Sequence, residues 1–164
     1  MPILNFGSLN LDHVYSVDHF VRPGETISSQ DMQSFPGGKG LNQSVALARA
    51  GAKVFHAGCV GHDGALLTDT LAQAGVDTRL IRQVSIPTGH AIIQVDESGQ
   101  NCILLYGGAN RAIGPEQIRQ TLVDFSRESG DPALVLLQNE VSGLPRILEL
   151  CRRLSLPTAL NPSP

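Results

Sequence analysis

The chain has 164 residues, of which 41% are apolar and 16% charged, with a formal net charge of −3 and an isoelectric point of about 5.9. That length suits one globular domain, and the acidic balance, with Arg152 and Arg153 the only adjacent basic pair, argues against a nucleic-acid surface. No apolar run approaches the ~18–20 residues that cross a bilayer, so a membrane role is not expected either.

The N-terminal "MPILNFGSLNLD" has an early acid and no basic start, and does not read as a secretory leader. Ile3 to Phe6 is a short apolar strand closing at Gly7-Ser8. Leu11 to Val21 is β-rich but interrupted by Asp12, Asp18 and two histidines, which predicts a half-exposed strand leading to the turn "RPGET". Thr26 to Phe35 reads as another extended segment. From Leu41, apolar residues at 41, 45, 48 and 52 mark one helical face, and Gly51 ends it. "KVFHAGCVG", from Lys53 to Gly61, is a strand; Gly64 to Ala74 is a helix with Gly75 past its end. Strand, helix and strand in that order predict a βαβ unit, and hence a parallel sheet with right-handed crossovers.

The rhythm then changes. "GHAIIQVD" (Gly89 to Asp96) and "NCILLY" (Asn101 to Tyr106) are strands joined by the short turn "ESGQ", a hairpin. A helix starts near Pro115. "ALVLLQ", from Ala133 to Gln138, is nearly all apolar, the mark of a strand covered on both faces. A helix from about Leu144 to Leu154 follows, and Leu156 to Leu160 begins one more strand. The expected architecture is an α/β core with two β-rich excursions, near residues 12–35 and 88–106. These are expected to form a small antiparallel flap above the carboxyl ends of the core strands, where open α/β sheets bind ligands. The last strand has no helix after it, so either a partner chain or a longer protein is expected to cover it.

The segment richest in chemistry is "SFPGGKGLNQSVALARAG", from Ser34 to Gly51. It is neither a Walker loop, which needs GxxxxGK[ST], nor a GxGxxG dinucleotide turn. Gly37 and Gly38 let backbone approach a ligand, and the helix behind them opens with unpaired N–H groups. Lys39 adds a cation, and Asn42 lies one turn on, on the same side. This set suits hydroxyls better than a polyphosphate; the alternative is a tight turn under a neighbouring strand, with Lys39 in water. Asn10 and Asp12 follow the first strand, and Glu140 follows "LLQN" at the end of the most apolar one. They either face the same crevice or serve as a solvated turn and a helix-start charge.

Asp63 in "GHDG" is expected to cap the helix from Gly64. Cys59, Cys102 and Cys151 read as buried thiols of a reducing compartment, with neither a disulfide nor a metal role. The five histidines show no ligand spacing, and no GxSxG elbow marks a hydrolase. Two acids, two amides and a lysine around a glycine turn form an inventory for the hydroxyls of a small polyol, since carboxylates accept, lysine donates and amides do both.

The set "GSLNLD", "RPGET", "GGKGLNQSVALARAGAKV", "GCVGHD", "GANRAI", "LLQNE" and "LNPSP" resembles the PfkB-type carbohydrate kinases, and within them the ribokinase branch, from Ile3 to Pro164. The resemblance implies a three-layer α/β/α fold with a mostly parallel sheet and a β lid, with residues 1–164 forming its N-terminal part. It implies ATP-dependent phosphorylation of the 5-hydroxyl of D-ribose, with Mg²⁺ and K⁺, in a cytoplasmic homodimer paired through the lid. Asn10, Asp12, Gly38, Lys39, Asn42 and Glu140 would bind the sugar. The general base would be an aspartate in a "GAGD" motif, which these 164 residues do not contain, so no catalytic residue is assigned and the nucleotide-binding part is expected elsewhere. Two alternatives stay open: a kinase of another sugar or of a nucleoside, and a non-catalytic sugar-binding module.

Overall fold

The computed structural model describes residues 1–129 and 133–163; Pro164, the last residue of the resemblance, lies outside them. In chain order the elements are β1 (Ile3–Phe6), β2 (Asn10–Ser16), β3 (Asp31–Gly37), α1 (Lys39–Arg49), β4 (Val54–Val60), α2 (Ala65–Gln73) and β5 (Asp77–Gln83). Then come β6 (Gly89–Val95), β7 (Asn101–Tyr106), a 3-10 turn at Gly108–Arg111, α3 (Pro115–Ser129), β8 (Leu134–Gln138), α4 (Leu144–Arg153) and β9 (Thr158–Asn161).

Five strands form the core sheet in the order β5-β4-β1-β8-β9, every pair parallel. Alternation along the strands sends side chains to two different layers. Leu4, Phe6, Phe55, Ala57 and Cys59 pack with Ile118, Leu122 and Phe125 of α3 and Ile147 of α4. Val54 and Val60 pack instead with Leu41 of α1 and Leu67 and Leu71 of α2. The sheet is thus sandwiched between helix pairs, the three-layer arrangement that a nearly all-apolar strand such as β8 requires.

The second sheet has the order β3-β2-β6-β7. Its outer pairs are antiparallel hairpins, but β2 and β6 run parallel, from Asn10 opposite Gly89 to Ser16 opposite Val95. The flap is therefore mixed, not antiparallel. The reason is topological: β2 leaves the core after β1 and β6 leaves it after β5, both at the carboxyl ends of parallel strands, so the two hairpins meet through their first strands.

Four further differences are local. β2 stops at Ser16 instead of running to Val21, and β3 starts at Asp31 instead of Thr26. β5 was not expected at all: "DTRLIRQ" carries an aspartate and two arginines because it is an edge strand with a half-exposed face. Cys102 is exposed on β7, whereas Cys59 and Cys151 are buried as expected.

Candidate functional site

A cleft of about 240 Å³ lies between the small sheet and the start of α1, and it brings together every residue expected there: Asn10, Asp12, Gly38, Lys39, Asn42 and Glu140. Ala91 and Ile93 of β6 with Ile103 and Leu105 of β7 supply the apolar remainder of its wall. A larger groove of about 430 Å³ lies on the opposite face of the small sheet, beside Tyr15, Val17, Val21 and Gln94. It is open and gathers one charged side chain, Glu25, so its volume is not matched by convergent chemistry.

Each polar group is delivered by a strand end. Asn10 and Asp12, two apart on β2, share one face of the small sheet. Asn10 is buried, and its Oδ1 accepts from Asn110 Nδ2 at 2.8 Å. Asp12 is half-buried and its carboxylate makes no hydrogen bond among the described residues; burial first, and then the charge of Glu140, push that carboxyl above the ordinary range, with a smaller opposing effect from His13.

Gly38 precedes α1 with φ 97°, a conformation open to glycine, and a Cβ there would stand 2.8 Å from the Ser8 carbonyl oxygen. The mouth of α1 differs from expectation in one respect. Its first amides are already taken: Lys39 N donates to Glu140 Oε2 at 3.2 Å, Gly40 N to Ser8 Oγ at 3.2 Å and Leu41 N to Ser8 O at 3.0 Å. They organise the protein's own groups instead of standing open to a ligand.

Glu140 sits two residues beyond β8 and turns toward α1. Besides the Lys39 amide, it accepts from Lys39 Nζ and Ser8 Oγ. Burial opposes its charge, but the donors of Lys39 and Ser8 outweigh burial and hold the carboxyl below its ordinary range. Glu140 is thus a fixed anion of the cleft and not a charge for the start of α4. Asn42 is the exposed member of the set, one turn into α1.

Two contributors were not singled out from the sequence. Ser8 joins the Gly40 amide to Glu140, and Asn110 brackets Leu9, accepting from its N–H at 2.9 Å and donating to its carbonyl at 3.2 Å. The available signals were the serine two residues after β1 and the asparagine within "GGAN". Asp63 does not cap α2, whose N-cap is Gly64 without a side-chain bond. Its Oδ1 accepts from Thr88 N at 3.0 Å and Thr88 Oγ1 at 2.5 Å, tying the loop after β4 to the root of β6. No cluster of three or more His, Cys, Asp or Glu side chains fit to hold a metal ion occurs among the described residues. Nor is any described helix long and apolar enough to cross a membrane.

The pfkB family carbohydrate kinase pattern matches residues 3–163, and the chain belongs to that family. The ribokinase of Haemophilus influenzae is 40% identical over 161 residues, which are 96% of this chain and 52% of that protein. The ribokinase of Cryptococcus neoformans, solved in complex with ADP, superposes with a TM-score of 0.82 at 36% identity, over 99% of this chain and 50% of that one. Arabidopsis thaliana ribokinase, solved with ribose and ATP, gives 0.79 at 29% identity, over 97% and 52%. The chain spans about half the length of the curated relatives it matches.

Proposed function

We propose that this pfkB family member supplies the sugar-binding half of a ribokinase, an enzyme that transfers the γ-phosphoryl group of ATP to the 5-hydroxyl of D-ribose. The observation that carries the reading is the convergence of Asn10, Asp12, Gly38, Lys39, Asn42 and Glu140 on one cleft between two sheets. Asp12, whose carboxylate has no hydrogen-bond donor among the described residues, accepts from sugar hydroxyls, and Asn10 and Asn42 add amide donors and acceptors. Lys39 and Glu140 form an ion pair at the base of the cleft, a rigid donor–acceptor couple against which a sugar is oriented. Ala91, Ile93, Ile103 and Leu105 form a lid that excludes water once a sugar is seated.

ATP, Mg²⁺ and K⁺ belong to the proposed reaction, and the ligands of the two related structures support the nucleotide. The side chains described here do not form a metal cage, so no metal role is assigned to them. The base that activates the 5-hydroxyl and the groups that hold the nucleotide come, in this reading, from the other half of the enzyme. The site of action is the cytoplasm, and the assembly is a homodimer joined through the lid.

The test is catalytic. The natural full-length protein, given D-ribose, ATP, Mg²⁺ and K⁺, is expected to form ribose 5-phosphate and ADP. Faster phosphorylation of a nucleoside or another sugar would overturn the substrate, and ribose binding without turnover would leave a sugar-binding module.

A further inference from the structure

Beneath the cleft lies a buried polar layer in which one side chain touches both halves of the site. Asn5, at the centre of β1, is completely buried. Its Nδ2 donates to the Gly40 carbonyl and to Ser44 Oγ, both at 2.8 Å and both on α1. Its Oδ1 accepts from Gln138 Nε2 at 2.8 Å, on β8 two residues before Glu140. The same Nε2 reaches Gln43 Oε1 at 2.7 Å. One amide therefore spans the helix start that carries Lys39 and the strand that carries Glu140.

The orientation of that amide is fixed from behind. His56, fully buried on β4, lies 2.8 Å from Ser44 Oγ through Nδ1 and 3.2 Å from the Gly7 carbonyl through Nε2. A carbonyl can only accept, so Nε2 carries the proton and Nδ1 accepts from the Ser44 hydroxyl. Ser44 Oγ then has its lone pairs turned to Asn5, which fixes the amide with its NH₂ toward α1 and its oxygen toward β8. A flipped amide would set oxygen against the Gly40 carbonyl and NH₂ against a Gln138 donor. The arrangement has one hydrogen-bonding solution.

We infer that Asn5 is a positioning residue for sugar binding: it sets the separation and register between the Lys39 turn and Glu140, with Ser44 and His56 fixing its orientation. It touches no substrate. It acts because Gly40 is seated on backbone, with a would-be Cβ only 2.4 Å from Gly7 Cα, so the turn moves with β1 as one body. Loss of the Asn5 amide removes the side-chain tie from Gly40 to Gln138, leaving the β1–β8 ladder and Ser8 to hold the turn against Glu140; the Lys39–Glu140 couple then drifts, and preorganised donors lose their value when displaced by a fraction of an ångström. The inference rests on the reading of the cleft as a sugar site.

The experiment measures KM for ribose, KM for ATP, kcat and melting temperature in the natural full-length protein and in Asn5→Leu, Asn5→Asp and Ser44→Ala. Asn5→Leu removes all three hydrogen bonds of the amide, and Asn5→Asp removes its two donations while keeping an acceptor for Gln138; each is expected to raise KM for ribose about tenfold, and Ser44→Ala, which strips one of the amide's partners, about threefold. kcat and KM for ATP are expected to stay within about twofold, because the reacting groups are untouched. A merely structural role would lower the melting temperature and the active fraction and leave KM for ribose unchanged, which would overturn the inference. Ser44→Ala, the mildest change, gives the answer if the Asn5 variants do not fold. Asp12→Asn separates the two readings: if it leaves ribose binding intact, the sugar site itself is misplaced. If it abolishes binding while Asn5 and Ser44 variants keep the wild-type KM, only the role of Asn5 fails.

Discussion

Asp12 and Glu140 face one cleft from different sheets in opposite states: Glu140 is saturated by Ser8 and Lys39, while Asp12 has no donor among the described residues. An unpaired, half-buried carboxylate beside a second fixed anion is held at a cost, and a ligand supplying hydroxyl donors relieves it. Asp12→Asn is expected to weaken ribose binding roughly 10- to 100-fold, the worth of charge-assisted hydrogen bonds, while leaving the fold intact. The pH dependence has a definite sign. The carboxyl of Asp12 is raised, so acidification neutralises it before an ordinary aspartate, and affinity falls with pH in the wild type. Calorimetric titrations across the acid range should show that fall, and Asp12→Asn should flatten it. An Asn variant that binds ribose as the wild type does would remove Asp12 from the site.

Gly40 tests the seating of the helix on the first strand. A Cβ at this position would stand 2.3 Å from Ser8 N and 2.4 Å from the Gly7 carbonyl carbon, and both are backbone, with no flexible side chain to give way. Alanine is the better helix former by ~1 kcal/mol, but overpacking against a closed backbone costs about 3 kcal/mol. The clash wins, so Gly40→Ala is expected to be destabilised by about 2 kcal/mol net, read from urea unfolding. Wild-type stability in that variant would mean that the two backbones are not in contact.

The lid carries an unusual strand. Ile103, Leu104, Leu105 and Tyr106 are consecutive and all exposed, Leu104 by 68%, so both faces of β7 present apolar surface. Ile103 and Leu105 point into the cleft, which accounts for half of the strip; Leu104 and Tyr106 alternate to the other side. A second subunit is the proposed cover for that side. Leu104→Glu is expected to convert a dimer to monomer in sedimentation velocity, with less loss of melting temperature than a core substitution would give. A wild-type protein that is monomeric at micromolar concentration would end the lid-pairing proposal.

Particular residues show where the sequence was readable. "ALVLLQ" could be placed as a doubly covered strand because its apolar positions run on without alternation, and that placement put Glu140 at the rim of the sheet. Asp12 was legible because it follows the first core strand at the end where chains leave a parallel sheet, and Lys39 because a glycine turn there opens a helix. β5 was not legible, since an edge strand exposes one side and Arg79 there pairs with Asp77 and Glu128. The occupancy of the α1 amides was hidden too, because Ser8 and Glu140 reach them from 32 and 101 residues away. Asn5 passed unmarked inside a strand read as apolar. Only the three-dimensional neighbourhood, with Ser44 and His56 behind it, shows an organised layer.

That layer predicts a pH dependence of stability separate from the one at Asp12. Burial holds the imidazole of His56 down to about 4, against a small opposing effect of the Gly7 carbonyl, while the unfolded chain titrates near the ordinary 6.5. Between those values the unfolded state binds the extra proton, so stability rises with pH across this window and is lost as pH falls from about 6.5 to 4. The shift is worth about 3 kcal/mol at full development. His56→Phe removes the titrating group, leaves the Ser44 hydroxyl proton without its acceptor and the Gly7 carbonyl without the His56 donor, so its stability at neutral pH is expected to fall as well. The informative quantity is therefore the slope of unfolding free energy against pH and not its level. Chemical denaturation at half-unit steps should give a steeper slope for wild type than for His56→Phe between pH 4 and 6.5, and parallel curves above pH 7. Parallel curves throughout would mean that His56 titrates alike in the folded and unfolded chain, so that burial does not hold the imidazole neutral, and the single hydrogen-bonding solution drawn for Asn5, Ser44 and His56 would fail with it between pH 4 and 6.5.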